Sequence, residues 1–334
     1  MRLLLDADPP VVRWCRETDG AFRTGTGALG PAWASALAKR AGPLAQATSI
    51  SYRLRHGGDR ISQPAMRLTP QVLEAVRDSV RLQPEHNGLT YEAMRTMLKL
   101  APDVLHIVMC DTAFFLDLPA ESRLYAVPAR LRAGAMRRHG GGGLVHQWAW
   151  QRVRELAGRA VSRMISIQLG NHTNVAAIKD GRPVDTTMGF TPVEGIPSHT
   201  SCGDIDASVV FELQASGMSM SEINELLSAR SGFRALVGRP CGFRELVLEN
   251  GEPDQALARK ILLYDIVKYV GAYAAVLGGV DALCFVAEDP RQAGPFIKAA
   301  RRELSFLGKV KAAVLKGDIW RIMSCRAAAV EKES

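Results

Sequence analysis

Paired cysteines are missing from this sequence. Its six, Cys15, Cys110, Cys202, Cys241, Cys284 and Cys325, are scattered and form no CxxC pair. That speaks against a disulfide framework or a thiolate metal centre and for reduced thiols in a core. No grouping of His, Cys and Asp has zinc-like spacing. Long apolar runs are missing too: none reaches the roughly 18 residues that a membrane-spanning helix needs. The opening MRLLLDADPP is too short in apolar residues for a secretion signal and reads as a first β-strand meeting a turn, so a cytoplasmic setting is expected. No stripe of alternating aromatic and basic side chains points to nucleic acid. No internal repeat shows at the level of residue identity.

What is present is the composition of a globular protein, 47% hydrophobic and 23% charged over 334 residues, long enough for two domains. The net charge of +8 suits a phosphate-bearing ligand but also follows from an arginine-rich background. Strand-like runs fall at 3–6, 48–54, 104–110, 164–170, 175–181 and 282–288. Helical periodicity falls at 70–81, 90–100, 147–163, 220–229 and 256–277. In the last, Ala256, Ile261, Leu262, Ile266, Tyr269, Val270 and Tyr273 share a face. Strands alternating with helices predict an α/β architecture. The run Gly140–Gly143 is the strongest breaker and marks the expected domain boundary, although four glycines also suit a flexible surface loop.

Ten blocks, in order, resemble the acetate kinase family. They are SYRLRHGGD (51–59), PEHNG (84–88), CDTAFFLDLP (110–119), YAVP (125–128) and RRHGGGGLVH (137–146), then QLGNHTNV (168–175), DTTMGFTPVEG (185–195), SCGDID (201–206), SEINELLSARSGF (221–233) and KYVGAYAAVLGGVDAL (268–283). Together they run almost the whole length. The resemblance implies two ribonuclease H-like domains of the sugar kinase/Hsp70/actin superfamily with an interdomain cleft. The domains expected are 1–142, completed by 318–334, and 143–317, which carries the nucleotide and dimer elements. It also implies a homodimer that moves phosphate between ATP and a small carboxylic acid in organic acid metabolism, with magnesium.

The same resemblance assigns roles. Asp111 matches the catalytic aspartate, a carboxylate that polarises the reacting oxygen or organises a metal's water; Asp-Thr after a strand also caps a turn. Arg53 matches the substrate arginine, whose guanidinium offers a fork to a carboxylate or phosphoryl group. Gln168, Gly170, Asn171 and His172 match the phosphate-contacting turn, where a glycine lets amides approach an anion. Arg244 matches an arginine near the adenosine. Pro192 remains from the pocket around the acid, where Arg55, Glu85 and Gly141 replace apolar residues. Arg55 and Glu85 either pair and close the pocket, recognise a larger polar acid, or point to solvent. His56, His86 and His146 are expected to make structural hydrogen bonds, and His106 to be a satisfied core residue.

Other positions depart from the family. Its first phosphate loop is replaced by Asp6-Ala7-Asp8-Pro9-Pro10, where two prolines remove backbone donors and Asp8 adds negative charge. Asp6 is nonetheless a candidate metal ligand, with Asp318 as a counterpart to the family's metal-supporting glutamate. The family's phosphoryl-stabilising histidine and arginine fall on Gly142 and Ser201. Arg137, Arg138, His139 and His199 are the nearby substitutes. The adenosine loop becomes Glu288-Asp289-Pro290-Arg291-Gln292. Removing one transition-state donor costs on the order of 10²–10³ in rate. The function that the resemblance implies is ATP-dependent phosphorylation of a short carboxylic acid. The alternatives are a catalytically impaired relative that binds or regulates, and a kinase for a larger polar acid.

Overall fold

In the computed structural model the described residues are 1–28, 30, 33–132, 136–158, 160–248 and 252–333, without the side chains of residues 34, 35, 38 and 41. The chain divides into two compact units. The first comprises Met1–Leu116, Gly141–Leu144 and Asp318–Ser334, and the second Asp117–Gly140 and Val145–Gly317. Residues 117–140, which the sequence reading gives to the first domain, thus fall with the second.

The first unit is built on one mixed sheet. Strands β1 (Arg2–Asp8), β2 (Val11–Thr18) and β3 (Ala21–Ala28) form an antiparallel meander. Strand β4 (Ser49–Leu54) lies parallel to β1, β6 (Leu105–Cys110) lies parallel to β4, and the short β5 (Ala65–Arg67) closes the far edge antiparallel to β6. The order is β3-β2-β1-β4-β6-β5. Every residue of β4 is buried, as expected of a central parallel strand covered on both faces. Helices Pro70–Ser79, Pro84–Leu100 and Ile319–Lys332 belong to this unit, and the last packs on β1, β4, β5 and β6.

The second unit repeats the plan. Strands β7 (Arg163–Leu169), β8 (Asn174–Lys179) and β9 (Arg182–Thr186) form the meander, and β10 (Ala282–Ala287) and β11 (Lys311–Lys316) add parallel strands beyond β7. The order is β11-β10-β7-β8-β9. The second and third strands of both meanders are joined by Asp-Gly. Asp19 and Gly20 have φ of 51° and 79°, and Asp180 and Gly181 have φ of 52° and 85°. Such a turn needs positive φ at both central positions, which Asp tolerates and Gly favours. Two ribonuclease H-like units therefore share a topology although their sequences show no repeat.

Helix Pro253–Leu277 packs on β7, β8 and β9 through buried Ala258, Leu262, Ile266, Val270, Tyr273 and Leu277, and ends at left-handed Gly278. Of the face expected from periodicity, Ala256, Ile261 and Tyr269 are only half-buried. The helix expected at 147–163 runs instead from Gly143 to Ala157. It starts early because Gly143 is packed, not loose. Its N–H donates to the Asp111 carbonyl at 3.1 Å, and a Cβ there would lie 2.1 Å from that oxygen. The end of the glycine run is thus a close backbone contact and not a surface loop.

Candidate functional site

Parallel strands in an α/β sheet gather ligand-binding side chains at their carboxyl ends. In the first unit, β1, β4 and β6 deliver Asp6, Arg53, Arg55 and Asp111 to that end. Strand register explains the assembly: Asp6 stands opposite Arg53 in the parallel β1–β4 pair and opposite Arg13 in the antiparallel β1–β2 pair. Arg55, two residues beyond Arg53, reaches the same carboxylates. Asp111 follows β6, its N–H bonded to the Leu54 carbonyl at 2.9 Å.

The side chains form one ionic cluster. Arg53 Nη2 lies 2.8 Å from Asp111 Oδ2, its Nε donates to the same oxygen at 3.0 Å, and its Nη1 lies 3.5 Å from Asp6 Oδ2. Arg55 Nη2 donates to Asp6 Oδ1 at 3.0 Å, and Nη1 is 3.7 Å from Asp111 Oδ2. Arg13 donates to Asp6 Oδ2. Burial alone would push the Asp6 carboxyl up, but Arg55, Arg53 and Arg13 outweigh it and hold it at about 2. For Arg53, burial opposes the charge and is overcome by Asp111 and then Asp6, so its pKa is raised. Arg55 moves the other way: burial and the like charge of Arg53 lower it despite both carboxylates. Asp111 Oδ1 is buried without a hydrogen-bond partner.

The support around this cluster is dense. Thr90 Oγ1 donates to the Arg53 carbonyl at 3.3 Å, and Gly57 N–H donates to Thr112 Oγ1 at 2.9 Å. Buried His56 accepts at Nδ1 from Gly58 N–H at 3.1 Å, and His86 Nδ1 lies 3.4 Å from Gln83 Nε2. His106 sits in the core with Tyr52 Oη at 2.7 Å and the Ala101 carbonyl at 2.9 Å. Glu85 is exposed in the first turn of helix Pro84–Leu100, whereas Arg55 gives its ion pairs to Asp6 and Asp111. The pairing of Arg55 with Glu85 is therefore replaced by pairing with carboxylates that strand register brings closer.

Magnesium does not fit Asp6. Both carboxylate oxygens face guanidinium groups, and a divalent cation there would meet three positive charges. Asp318 Oδ1 accepts from the N–H groups of Trp320 and Arg321, and thus caps helix Ile319–Lys332. Among the described residues no group of three His, Cys, Asp or Glu side chains could hold a metal ion. In this structure Asp6 serves as a counter-ion and Asp318 as a helix cap.

In the second unit, Gln168 is the penultimate residue of β7 and Gly170-Asn171-His172 lie in the turn into β8. Asn171 Oδ1 accepts from Phe243 N–H at 2.8 Å. This brings the turn beside the short helix Phe243–Leu246 that carries Arg244. Gly242 makes the approach possible, since a Cβ there would lie 3.1 Å from Asn171 Oδ1. His199 N–H donates to the Asn171 carbonyl at 3.0 Å, and the His172 and His199 rings meet edge to face at 5.2 Å. The Gln168 Oε1 is buried without a hydrogen-bond partner.

Ser201 is buried and donates to Ser198 Oγ at 2.7 Å and to the Pro192 carbonyl at 3.4 Å. Gly142 takes a left-handed φ of 66°. Of the substitute cations, Arg138 is bound to Glu194 at 2.9 Å and lies 3.7 Å from Asp185. Buried His139 donates its N–H to the Gly189 carbonyl, and Arg137 forms a β-bridge with Leu124. His146, also buried, bonds Ser166 Oγ at 2.8 Å and Asn174. Glu288–Gln292 opens helix Pro290–Glu303, with Asp289 accepting from the Arg291 and Gln292 N–H groups.

Arg13 is the member of the first unit's cluster that sequence reasoning passed over. Its signal was the β1–β2 hairpin, whose register alone places it opposite Asp6.

The sequence profile of the acetokinase family matches residues 31–313. Acetate kinase from Dictyoglomus thermophilum is 34% identical over 250 residues, 73% of this chain and 62% of that protein. The Bacteroides fragilis acetate kinase is 37% identical over 248 residues, 72% and 62% respectively. The match thus spans somewhat less than two thirds of these relatives. The crystal structure of Porphyromonas gingivalis acetate kinase superposes with a TM-score of 0.83 at 26% identity, covering 98% of this chain and 99% of that one. With a profile match over most of its length and relatives above 30% identity, the chain belongs to the acetokinase family.

Proposed function

We propose that this chain is a carboxylate kinase that phosphorylates a small carboxylic acid at the expense of ATP. A carboxylate oxygen of the acid attacks the terminal phosphorus and forms a new O–P bond. The bond from that phosphorus to the oxygen bridging to the β-phosphate breaks, and ADP leaves with its electron pair. The product is an acyl phosphate. A carboxylic acid is ionised near neutral pH, so no general base is needed, and the chain's task is positioning and charge stabilisation.

The observation that carries this reading is the Arg53–Asp111 pair, 2.8 Å apart and buried at the strand ends. Arg53 holds the acid's carboxylate and Asp111 fixes the guanidinium's orientation. On the second unit, Gln168, Gly170, Asn171, His172 and Arg244 contact the nucleotide. A homodimer and a cytoplasmic setting belong to the same reading; no described helix is long and apolar enough to cross a membrane.

A second reading, binding without turnover, is favoured by Asp6, whose carboxylate lies on all three arginines. Acyl-hydroxamate formation across a panel of carboxylic acids, with ATP binding by calorimetry, separates the two. Product with any acid supports the kinase. ATP binding without product supports the second reading, and absence of ATP binding ends the first. Activity on a polar acid but not on acetate assigns the site to a larger substrate.

A further inference from the structure

We propose that the arginine cluster of the first unit is a metal-independent site for an anionic oxygen group, a phosphate or a carboxylate. In it Arg13 and Arg55 supply the charge and Asp6 is the internal counter-ion that holds them in place. This takes from the proposed function only the identity of the site.

Charge and exposure agree on it. Arg13, Arg53, Arg55 and Arg326, whose charge Asp111 favours, are set against the carboxylates of Asp6, Asp8 and Asp111, which leaves one positive charge in surplus. The side chains of Asp6, Asp111 and Arg53 are 0%, 3% and 5% exposed, whereas those of Arg13 and Arg55 are 31% and 21% exposed. Facing solvent are these two cations and one anion, Asp8, at 52%. The buried Nε atoms of Arg13 and Arg55 have no hydrogen-bond partner.

Both cations are held before any ligand arrives. Arg13 is fixed by Asp6, by Asp8 at 3.5 Å and by the Trp320 ring at 5.8 Å. Arg55 is fixed by Asp6 at 3.0 Å and Asp111 at 3.7 Å. Such anchoring lowers the entropy lost on binding. The neighbouring turn at Pro9 and Pro10 has no N–H groups, so side chains must hold the anion. Asp6 offers a divalent cation no seat, because both its oxygens already face guanidinium groups.

Calorimetric titration of the whole chain with inorganic phosphate, and separately with acetate, each in EDTA and in excess magnesium, tests this. At least one anion is expected to bind, with a Kd in EDTA within about threefold of that in magnesium. Arg13→Gln and Arg55→Gln are each expected to weaken it about tenfold, the size of a lost charged hydrogen bond. Circular dichroism melts check the fold of each variant, and the more exposed Arg13→Gln carries the test if Arg55→Gln unfolds. Binding of phosphate alone assigns the site to the nucleotide, and of acetate alone to the acid. Binding only with magnesium, wild-type affinity in Arg13→Gln, or no binding under either condition overturns it. Anion binding in EDTA by a chain that makes no acyl phosphate would sink the kinase and leave this site standing.

Discussion

Asp6 and Arg53 stand opposite each other in the parallel register of β1 and β4, with carboxylate and guanidinium 3.5 Å apart at Oδ2 and Nη1. Arg53 also binds Asp111, so one buried cation compensates two buried anions.

Arg53→Ala should therefore damage both stability and chemistry. Breaking a buried pair by removing one partner costs about 3–5 kcal/mol, because uncompensated charge is left behind. The proposed role of Arg53 in holding the acid predicts that acyl phosphate formation falls at least about 10²-fold. Urea unfolding and a hydroxamate assay on the same preparation measure the two effects.

Acid should weaken the fold through Asp6. Its carboxyl is held at about 2, against an ordinary value of 3.8. Because the folded-state pKa is depressed, the stabilisation is fully present above about pH 4 and is lost as pH falls through 2. The difference amounts to roughly 2 kcal/mol. Denaturant midpoints between pH 5 and pH 2 should fall accordingly in the wild type, and the slope should flatten in Asp6→Asn.

Gly143→Ala should destabilise by about 1–3 kcal/mol, since its Cβ would collide with the Asp111 carbonyl. Gly88→Ala, inside helix Pro84–Leu100 where the added Cβ meets only Val80 at an ordinary 3.9 Å, should instead stabilise by about 0.5–1 kcal/mol. Thermal melts of the two variants should move in opposite directions.

How much of this was legible depended on where burial is two-sided. Strands β1, β4, β6, β7 and β10 read as apolar runs because sheet centres are covered on both faces. Strand β3, AFRTGTGA, has no fully buried residue and no apolar run, so it gave no such signal. Strand β2 was hidden behind two prolines, although Asp19-Gly20 is a hairpin signature. Missing β2 meant missing Arg13. Arg53 and Asp111 were found through family resemblance, since periodicity carries no information about which charged side chains meet. The surroundings of Asp6 were hidden for the same reason: Arg13 from β2 and Arg53 and Arg55 from the end of β4 converge there only after the strands pair.

Asn171→Ala should weaken nucleotide binding about fivefold and leave the acid's KM unchanged. It removes the acceptor for Phe243 N–H, worth about 1 kcal/mol, and loosens the turn from the segment carrying Arg244. Calorimetry with ATP and steady-state kinetics on the acid would show the split; equal effects on both ligands would remove the turn from the nucleotide's side.

The most direct measurement of the central claim is acyl phosphate trapping with hydroxylamine, run with ATP and a panel of small carboxylic acids on wild type and Arg53→Lys. The account predicts hydroxamate from at least one acid in the wild type and a fall of about 10²-fold or more in the folded variant, because an ammonium cannot reproduce the fork. Wild-type protein that binds ATP and yields no hydroxamate from any acid, or a folded Arg53→Lys with undiminished turnover, would contradict it.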